Sequence, residues 1–420
     1  MDFDPFDSAH FEDPYPAYRE LRDRDTLHWA PGSEAFCVTR FDEAAEVFKQ
    51  PQLFSSRLGF DVLVRERWEK VGLGDVLEMF RFLVRVRVNP LALRGAPQSI
   101  ISSDPPHHGP LRLTVNRGFT PRRIGAWEPR VRELCAAYVA DLDDAESFDV
   151  VEQLAHPLPM TIIAELLGVD ADRITDFRRW SNGLIATLTG SNRSASPREM
   201  LSNGGELLAY LRTVVARRRR DPGDDLISVL VDPEQGETLD TQAVLLFATI
   251  LLVAGNETTT NAIGNAVRQL LDHPEELERV AADPSLIPGV VEESVRLESP
   301  FRLMPRVATE DTTIRNTRVP AGSRVLVMIG AANRDERQFS DADRFDPRRD
   351  TRGHLAFGHG IHFCLGASLA RLETRVALET LVPHLQERVV CEGGAVRADS
   401  YFTRGFSRLE IRRKALTAAA

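Results

Sequence analysis

Apolar positions recur mostly with the period of a helix, and one apolar run is longer than the others. From Ala243 to Gly255, thirteen consecutive residues are apolar or small, and the pattern continues to at least Leu270. Thirteen residues are too few to span a bilayer, and Glu257 in the continuing helix would be costly in lipid. The pattern therefore predicts a long helix through the protein interior.

A second helical pattern begins directly after Cys364. Leu365, Leu369, Leu372 and Val376 are spaced by four, three and four residues, the period of an amphipathic helix. Cys364 is thus predicted at or just before a helix N-terminus. The unpaired backbone N–H groups and the helix dipole at such a position favour a thiolate over a thiol.

Shorter patterns and caps predict further elements. Residues 125–220 have a mainly helical pattern. The others are a turn and helix over 13–22, a strand over Ala35–Val38, a helix over Asp42–Lys49 capped by Asp42, a polar loop over Ser191–Gly205 and a strand over Arg324–Ile329.

Composition and charge narrow the class of protein. The 420 residues show no internal repeat or linker, and 43% are hydrophobic, which suits one large domain over residues 1–420. A net charge of −10 argues against a general nucleic-acid binder. Met1 to Pro16 has no apolar run typical of a signal peptide or membrane anchor. Four scattered cysteines predict a reducing compartment, so we expect a cytoplasmic protein, and we expect a monomer.

The residues around Cys364 indicate what its thiolate binds. Gly358 and Gly360 before it and Gly366 after it let the backbone approach a flat, bulky group, and Phe357 adds an aromatic wall. A haem iron with a cysteinate ligand fits this arrangement. The sequence has no Cys-x-x-Cys-His motif, so haem would be held non-covalently.

Zinc is the competing interpretation of the same segment. His354, His359, His362 and Cys364 are all residues of the types that bind zinc. However, His362 and Cys364 are only two residues apart, and no Cys-x-x-Cys or His-x3-His pair accompanies them. The spacing favours haem over zinc.

Phe357, Gly360, His362, Cys364 and Gly366 match the haem-binding signature of the cytochrome P450 family, and nearly the whole chain resembles its soluble bacterial members. The resemblance implies a mostly α-helical fold with small β-sheets, in which one large domain encloses haem b. It also implies a monooxygenase that uses dioxygen and external electrons. Peroxide-driven oxidation on the same fold and a non-catalytic haem-binding protein are the alternatives.

The resemblance assigns four basic residues to the haem propionates. His108 and Arg112 end a motif Asp-Pro-Pro-x-His-x-x-x-Arg and share a helix face, where a solvated surface is the alternative. Arg306 matches the contact to the second propionate, and His362 would assist. Charge-assisted bonds to carboxylates are a natural role for such residues.

The long helix contains a segment that resembles the acid–alcohol motif of the family. Ala254 and Gly255 would let haem and dioxygen come close to the helix, while Glu257 and Thr258 would carry protons into a dry pocket. Alternatively, Thr258 bonds a carbonyl of its own helix and Glu257 pairs with a cation. An intact Glu257–Thr258 pair disfavours the peroxide-driven alternative.

A Glu-x-x-Arg sequence precedes the cysteine segment. Glu293 and Arg296 share a helix face, and the resemblance implies Arg349 as the third member of a buried charge network. We interpret the network as structural support for the cysteine loop, because breaking a buried ion pair leaves an uncompensated charge.

The implied substrate is an apolar small molecule of the terpenoid, steroid, fatty acid or polyketide type. Residues 57–103, which give no clear pattern, and the polar loop correspond to segments that cover the pocket. Arg302 would meet a substrate carboxylate or turn to solvent. The pocket is expected to include Ile101, Ile250, Ala254, Phe301, Leu303, Met304 and Phe402, and Thr403 would also contact substrate.

The chain contains no flavin or iron–sulfur segment, so the resemblance implies electrons from an external ferredoxin and ferredoxin reductase. The ferredoxin would dock near Cys364. A local basic patch of Arg112, Arg117, Arg122 and Arg123 would attract it in spite of the negative net charge.

Overall fold

Helices form most of the chain in the computed structural model, which describes residues 3–57, 99–188 and 197–414. In chain order the helices are α1 (Tyr15–Arg22), α2 (Phe41–Lys49), α3 (His108–Asn116), α4 (Pro121–Gly125), α5 (Glu128–Tyr138), α6 (Pro157–Leu166), α7 (Ile174–Leu188), α8 (Pro197–Arg218), α9 (Leu226–Val231), α10 (Thr241–Asp272), α11 (Pro274–Ala282), α12 (Ile287–Leu297), α13 (Ile329–Ala332) and α14 (Ala367–Leu385). The strands are β1 (His28–Ala30), β2 (Ala35–Val38), β3 (Phe54–Ser55), β4 (Ser147–Asp149), β5 (Met304–Ala308), β6 (Thr312–Ile314), β7 (Thr317–Val319), β8 (Arg324–Val327), β9 (Arg388–Arg397) and β10 (Phe406–Arg413). This confirms the predicted class, mostly α with small sheets.

Helix α10 is the long interior helix predicted from the apolar run. It starts after Asp240, whose carboxylate accepts a hydrogen bond from the backbone N–H of Ala243 at 2.8 Å. Within the described part of the chain, α10 alone has the length and composition to cross a membrane. It instead packs against α6, α7, α12 and α14, and it buries Asn256, Asn261 and Asn265. Buried amides on several sides of a helix need protein partners that lipid does not supply.

The largest sheet joins segments that are far apart in sequence. Its order is β1-β2-β8-β5-β3, with β2 and β8 parallel and the other pairs antiparallel. Val325 of β8 lies between Phe36 of β2 and Arg306 of β5. A second sheet, β4-β10-β9, contains the hairpin β9–β10, and residues Tyr401–Gly405 lie in its connection.

Alternation along β8 divides the apolar core around this sheet. Val325 and Val327 face a cluster with α2, whereas Leu326 faces a cluster with Tyr18 of α1. The largest cluster surrounds α10 and includes apolar residues from α5 to α9, α12 and α14. The cysteine segment therefore lies between a helical core and a sheet-centred core.

Two local predictions were wrong. Asp42 does not cap α2, because the helix begins at Phe41, whose backbone N–H donates to the distant Asp335 carboxylate at 2.9 Å. The polar loop predicted from Ser191 lies partly outside the described residues, and from Pro197 onward the chain is helix α8. Proline suits a first helical turn, and Leu201 of α8 is buried.

Candidate functional site

Cys364 lies in a tight loop just before helix α14, as predicted. Its backbone N–H donates to the carbonyl of Phe357 at 2.8 Å, and Phe363 N donates to Gly360 O at 3.1 Å. Gly366 directly precedes the first helical residue of α14. The loop thus presents a half-buried cysteine at the N-terminal end of a 19-residue helix.

Burial dominates the acid–base properties of this thiol. It raises the pKa of Cys364 above the ordinary thiol value, while a backbone hydrogen bond from Gly366 and the positive charge of Arg112 act in the opposite direction. The helix N-terminus alone therefore does not secure a thiolate. A bound metal ion would, because coordination lowers the pKa of a cysteine.

The three glycines of the loop have different roles. Gly360 has φ of +69°, and a Cβ there would lie 2.5 Å from the carbonyl oxygen of Phe48, so it packs against α2 rather than against a cofactor. Gly358 also has a positive φ, of +70°. Around Gly366, a Cβ would meet no described atom within 4 Å. The open side of Gly366 fits the role predicted for the glycines, whereas Gly360 has a different one.

A buried charge network supports the loop that carries Cys364. Glu293 accepts hydrogen bonds from Arg296 at 2.7 and 2.8 Å and from Arg349 at 3.0 Å, and the Glu293 and Arg296 side chains are fully buried. Arg296 also donates to the carbonyl of Asn333 at 2.7 Å. Asn333 Oδ1 in turn accepts from the N–H of Leu355 at 2.7 Å. The network therefore reaches the chain two residues before Phe357.

A second network, missed in the sequence, holds Phe357. Arg371 donates to Glu292 at 2.6 and 2.9 Å, and its guanidinium lies 4.2 Å from the ring centre of Phe357. His354 Nδ1 accepts from Ala356 N, so its Nε2 donates to Glu292, 3.0 Å away. Burial alone would raise the pKa of Glu292, but the hydrogen bonds from Arg371 and His354 hold it at about 2. Glu292 and Arg371 are 79 positions apart in sequence, so no local pattern indicates the pair.

Four basic residues cluster beside the cysteine loop, as predicted from the motifs. The rings of His108 and His362 are 4.5 Å apart, and Arg306 is 5% exposed. Burial lowers the pKa of Arg306 to about 10. The pKa of His362 falls to about 3, mainly through burial and then through Arg306, His108 and Arg112. The positive charges of Arg112 and Arg306, beside two neutral imidazoles, would stabilise an anion bound here.

Two orphaned ring nitrogens test whether these residues fit haem. Nε2 of His108 and Nε2 of His362 are buried and have no hydrogen-bond partner within the described residues. Buried polar atoms in proteins are nearly always paired. Together with Arg112 and Arg306, they fit two carboxylates presented beside Cys364, as the propionates of haem would be.

Zinc does not fit the same residues. His354 is bonded to Glu292 and Ala356. No group of three or more His, Cys, Asp or Glu side chains among residues 3–57, 99–188 and 197–414 is arranged to hold a metal ion. The geometry therefore rejects a zinc site made of His354, His359, His362 and Cys364.

One face of α10 remains half-buried in the middle of the core. Ile250, Ala254, Glu257 and Thr258 share this face, whereas their neighbour Asn256 is only 1% exposed. Half-buried side chains within a core helix border a cavity or cleft. The acid–alcohol pair and two of the predicted pocket residues therefore lie side by side.

Both polar side chains of the pair are held by hydrogen bonds. Thr258 Oγ1 donates to the carbonyl of Ala254 at 2.6 Å, which is the intrahelical bond considered as the alternative. Glu257 Oε1 accepts from Thr403 Oγ1 at 2.6 Å. Gly255 does not border the same face, because a Cβ there would lie 3.0 Å from Ile163 on α6. Its small size serves helix packing, contrary to the prediction.

The remaining pocket predictions are divided by the structure. Phe301 and Phe402 form an edge-to-face pair with ring centres 5.1 Å apart, and Met304 and Ile101 are half-buried. Leu303 and Phe402 are 1% and 7% exposed within the cluster of α1, so neither lines a pocket.

Arg302 is neither solvent-exposed nor aimed at a substrate carboxylate. It is 2% exposed and donates to the carbonyl of His10 at 3.1 Å and to that of Ser400 at 3.4 Å. Arg302 and Leu303 point to opposite sides of an extended segment, and both sides are covered by other parts of the chain.

The predicted basic patch is only partly formed. Helix α4, which carries Arg122 and Arg123, packs on α14, the helix that follows Cys364. Arg117 is instead committed to backbone carbonyls of Thr114 and Glu237.

Two exposed apolar residues, missed in the sequence, border the same region. Leu113, next to Arg112, is 72% exposed, and Phe363, next to Cys364, is 41% exposed. Large apolar side chains at the surface beside cations are typical of a protein-binding surface.

This chain is similar to known proteins in sequence and in structure. The family model for cytochrome P450 matches residues 198–392. The vitamin D(3) 25-hydroxylase of Pseudonocardia autotrophica is 35% identical over 415 residues, covering 97% of this chain and 96% of that protein. The erythromycin C-12 hydroxylase of Saccharopolyspora erythraea is 45% identical over 323 residues, covering 75% of this chain and 81% of that protein. The structure of CYP109Q5 from Chondromyces apiculatus superposes with a TM-score of 0.84 at 38% identity, covering 99% of both chains.

Proposed function

Because this chain belongs to the cytochrome P450 family and is a monooxygenase with cysteine-ligated haem, we propose that it hydroxylates a largely apolar small molecule. The proposal rests mainly on the cluster of His108, Arg112, Arg306 and His362 beside Cys364. Two buried ring nitrogens of this cluster have no hydrogen-bond partner within the described residues. We further propose haem b as the cofactor, and a cytoplasmic, monomeric enzyme.

The cofactor and the protein divide the chemistry. Haem with a thiolate ligand supplies the activation of dioxygen and the insertion of one oxygen atom into a C–H bond. The sulfur of Cys364 would bind the iron, and the four basic side chains would hold the propionates by charge-assisted hydrogen bonds. Glu292 and Glu293, through their arginine partners, keep the loop in one conformation.

Glu257 and Thr258 supply protons on the half-buried face of α10. Thr258 Oγ1 donates to Ala254 O, and its oxygen retains lone pairs that accept a hydrogen bond from another donor. Glu257 is bonded to Thr403 and lies next to Thr258 in sequence. We assign Glu257 as the proton source and Thr258 as the group that passes the proton from its hydroxyl.

Replacing Thr258 tests this assignment. In Thr258→Ala the proton donor is lost, so we expect the product formed per NADPH consumed to fall by about fivefold or more, with hydrogen peroxide released instead. Thr380→Val is the control, because its hydroxyl bonds only a described backbone carbonyl, Val376 O, on α14. An unchanged product yield in Thr258→Ala contradicts the proton role.

The substrate is proposed to be of the terpenoid, steroid, fatty acid or polyketide type. Ile250, Ala254, Phe301 and Met304 supply half-buried, mainly apolar side chains. Two relatives are named as hydroxylases of vitamin D(3) and of an erythromycin. Both classes of compound are large and rich in C–H bonds, which fits the proposal.

A spectral titration tests the substrate class. Vitamin D(3), an erythromycin-type macrolide and a long-chain fatty acid are titrated into the haem-loaded protein, and displacement of the sixth iron ligand is followed by the Soret band. We expect a shift with at least one of the three. A shift with none of them, while a small polar compound binds, contradicts the apolar substrate.

Electrons are proposed to come from an external ferredoxin with its reductase. Arg112, Arg122 and Arg123 beside Leu113 and Phe363 combine positive charge with exposed apolar surface, which suits a small acidic partner. Peroxide-driven oxidation is the competing proposal. Product formed with hydrogen peroxide at the same rate as with NADPH and redox proteins would favour that competitor.

A further inference from the structure

The hairpin connection between β9 and β10 brings a hydroxyl group onto the proposed proton source. Thr403 is 2% exposed, and its Oγ1 lies 2.6 Å from Glu257 Oε1. The two residues are 146 positions apart in sequence. Their contact is therefore a product of the tertiary fold and of no local pattern.

Backbone pairing fixes the direction of the Thr403 side chain. Arg302 N donates to Phe402 O at 2.9 Å, Arg404 N donates to Pro300 O at 2.9 Å, and Thr403 forms a bridge with Phe301. In such antiparallel pairing, alternate side chains point to opposite sides of the backbone. Thr403 is thus held toward α10.

Arg404 prevents this connection from moving away. Its guanidinium donates to Glu298 at 2.5 Å and to the carbonyl of Phe11 at 2.9 Å, and it is 6% exposed. The residue directly after Thr403 is therefore anchored in the core. A side chain held by such neighbours needs no ordering when the reaction occurs.

Thr403 can form a hydrogen bond with Glu257 whether the Glu257 carboxyl group is ionised or protonated. Its single hydroxyl proton has two acceptors in reach, Glu257 Oε1 and Ser400 Oγ at 2.9 Å. When Glu257 is ionised it only accepts, so Thr403 donates to it and Ser400 donates to Thr403. When Glu257 carries a proton at that oxygen, both bonds reverse. The contact survives each transfer without movement of the carboxyl group.

Ser400 is suited to both directions as well. The backbone N–H groups of Phe402 and Thr403 donate to its Oγ at 3.3 and 3.1 Å, which orients the hydroxyl. Ser400 is itself 2% exposed. Both hydroxyl groups in the hydrogen-bonded series Ser400–Thr403–Glu257 are therefore buried, and backbone N–H groups hold the Ser400 end.

From this geometry we propose that Thr403 is a positioning residue for proton delivery, which holds the Glu257 carboxyl in one orientation throughout the reaction cycle. The inference rests on the proposed role of Glu257 and deepens it. It also gives Thr403 a function different from the substrate contact predicted from sequence.

An infrared experiment on the haem-loaded protein tests the contact without a substrate. The carboxyl band of Glu257 is assigned as the band lost in Glu257→Gln. We expect this band to shift in Thr403→Val, which has a similar shape and no hydroxyl, and to return to its wild-type position in Thr403→Ser. An unshifted band in Thr403→Val overturns the proposal.

Turnover measures the consequence, with vitamin D(3) as the probe. Thr403→Val is expected to lower product per NADPH by about threefold or more and to raise hydrogen peroxide correspondingly, since a hydrogen bond to the charged group is lost. Thr403→Ser should remain within about twofold of wild type. Thr380→Val again serves as the control. Equal losses in Thr403→Val and Thr403→Ser would indicate a purely structural role and overturn the proposal.

The two experiments separate this inference from the proposed function. If Glu257→Gln leaves the product yield unchanged, the proton role of Glu257 fails, whereas the infrared shift still decides whether Thr403 orients it. If Thr403→Val does not fold, Ser400→Ala replaces it. We expect a smaller band shift there, because Thr403 keeps its own donor, and an unshifted band overturns the proposal.

Discussion

Among single residues, Glu298 shows how buried charge organises this molecule. Its carboxylate, in a residue that is 4% exposed, lies 2.5 Å from Arg404, 3.0 Å from Arg334 and 3.4 Å from Arg397. Burial would raise the pKa of Glu298, but the charges of Arg404, Arg397 and Arg334 hold it at about 2. One glutamate thereby connects the end of α12 with the segment after α13 and with the β9–β10 hairpin.

Stability should depend on pH through this residue. Because its folded pKa lies below the ordinary value, the stabilisation is present above about pH 4.5 and is lost as the pH falls toward 2. In Glu298→Gln we expect the free energy of unfolding near neutral pH to be about 3 kcal/mol lower than in the wild type. Acidification should then lower the free energy of unfolding of the variant less than that of the wild type. Urea unfolding across this pH range checks both effects.

Asp311→Asn is the matched control for that experiment. Asp311 also pairs with an arginine, Arg318, but both side chains are largely exposed. Solvent screens such a pair, so its removal should leave the unfolding curve nearly unchanged. If Glu298→Gln behaves like this control, the buried cluster does not stabilise the fold as argued.

Among the elements, the cysteine loop combines several independent supports. Asn333 ties Leu355 to the Glu293 network, Arg371 stacks on Phe357, and Gly360 packs against the end of α2. Each support comes from a different part of the chain. The loop conformation is therefore set before any cofactor binds.

Two glycine substitutions distinguish folding of the loop from binding of haem. In Gly360→Ala the positive φ and the contact with Phe48 O should lower stability by at least about 2 kcal/mol. In Gly366→Ala no described atom obstructs the new Cβ, so the fold should remain stable while haem is retained poorly. Thermal unfolding and the haem-to-protein ratio measure the two outcomes. Full haem content in Gly366→Ala would show that its open side does not face the cofactor.

For the whole molecule, charge is distributed unevenly. The net charge is −10, yet Arg112, Arg122 and Arg123 lie around α3 and α4, near the cysteine loop. Local fields of this kind steer association even when the total charge has the opposite sign. The surface proposed for the ferredoxin thus differs from the rest of the protein in charge and in its exposed Leu113.

Charge reversal tests the docking surface. Arg122→Glu should slow reduction by ferredoxin about threefold to tenfold at low salt, with a smaller difference at high salt, because exposed charges are screened. Stopped-flow reduction measures the rate. Arg220→Glu, at the exposed end of α8, carries the same charge change and should have little effect. Equal effects of the two variants would argue against a local docking site.

The sequence by itself determined the main helices, the class of fold and the residues that identify the cofactor. The apolar run placed α10 to within two residues at each end, and the spacing after Cys364 placed the start of α14. These features follow from local periodicity and short motifs, which one segment contains on its own. Helical spacing also predicted the contact of Glu293 with Arg296, and the family resemblance implied the contact with Arg349.

Only the tertiary structure decided which partners distant residues receive. Asp335 supplies the cap of α2, and Thr403 donates the hydrogen bond to Glu257. Ile163 occupies the space that a side chain at Gly255 would need. Each partner lies far away in sequence, so no local pattern specifies it. Burial likewise turned Arg302 and Leu303 into structural residues, because the side of an extended segment that faces the core depends on what packs against it.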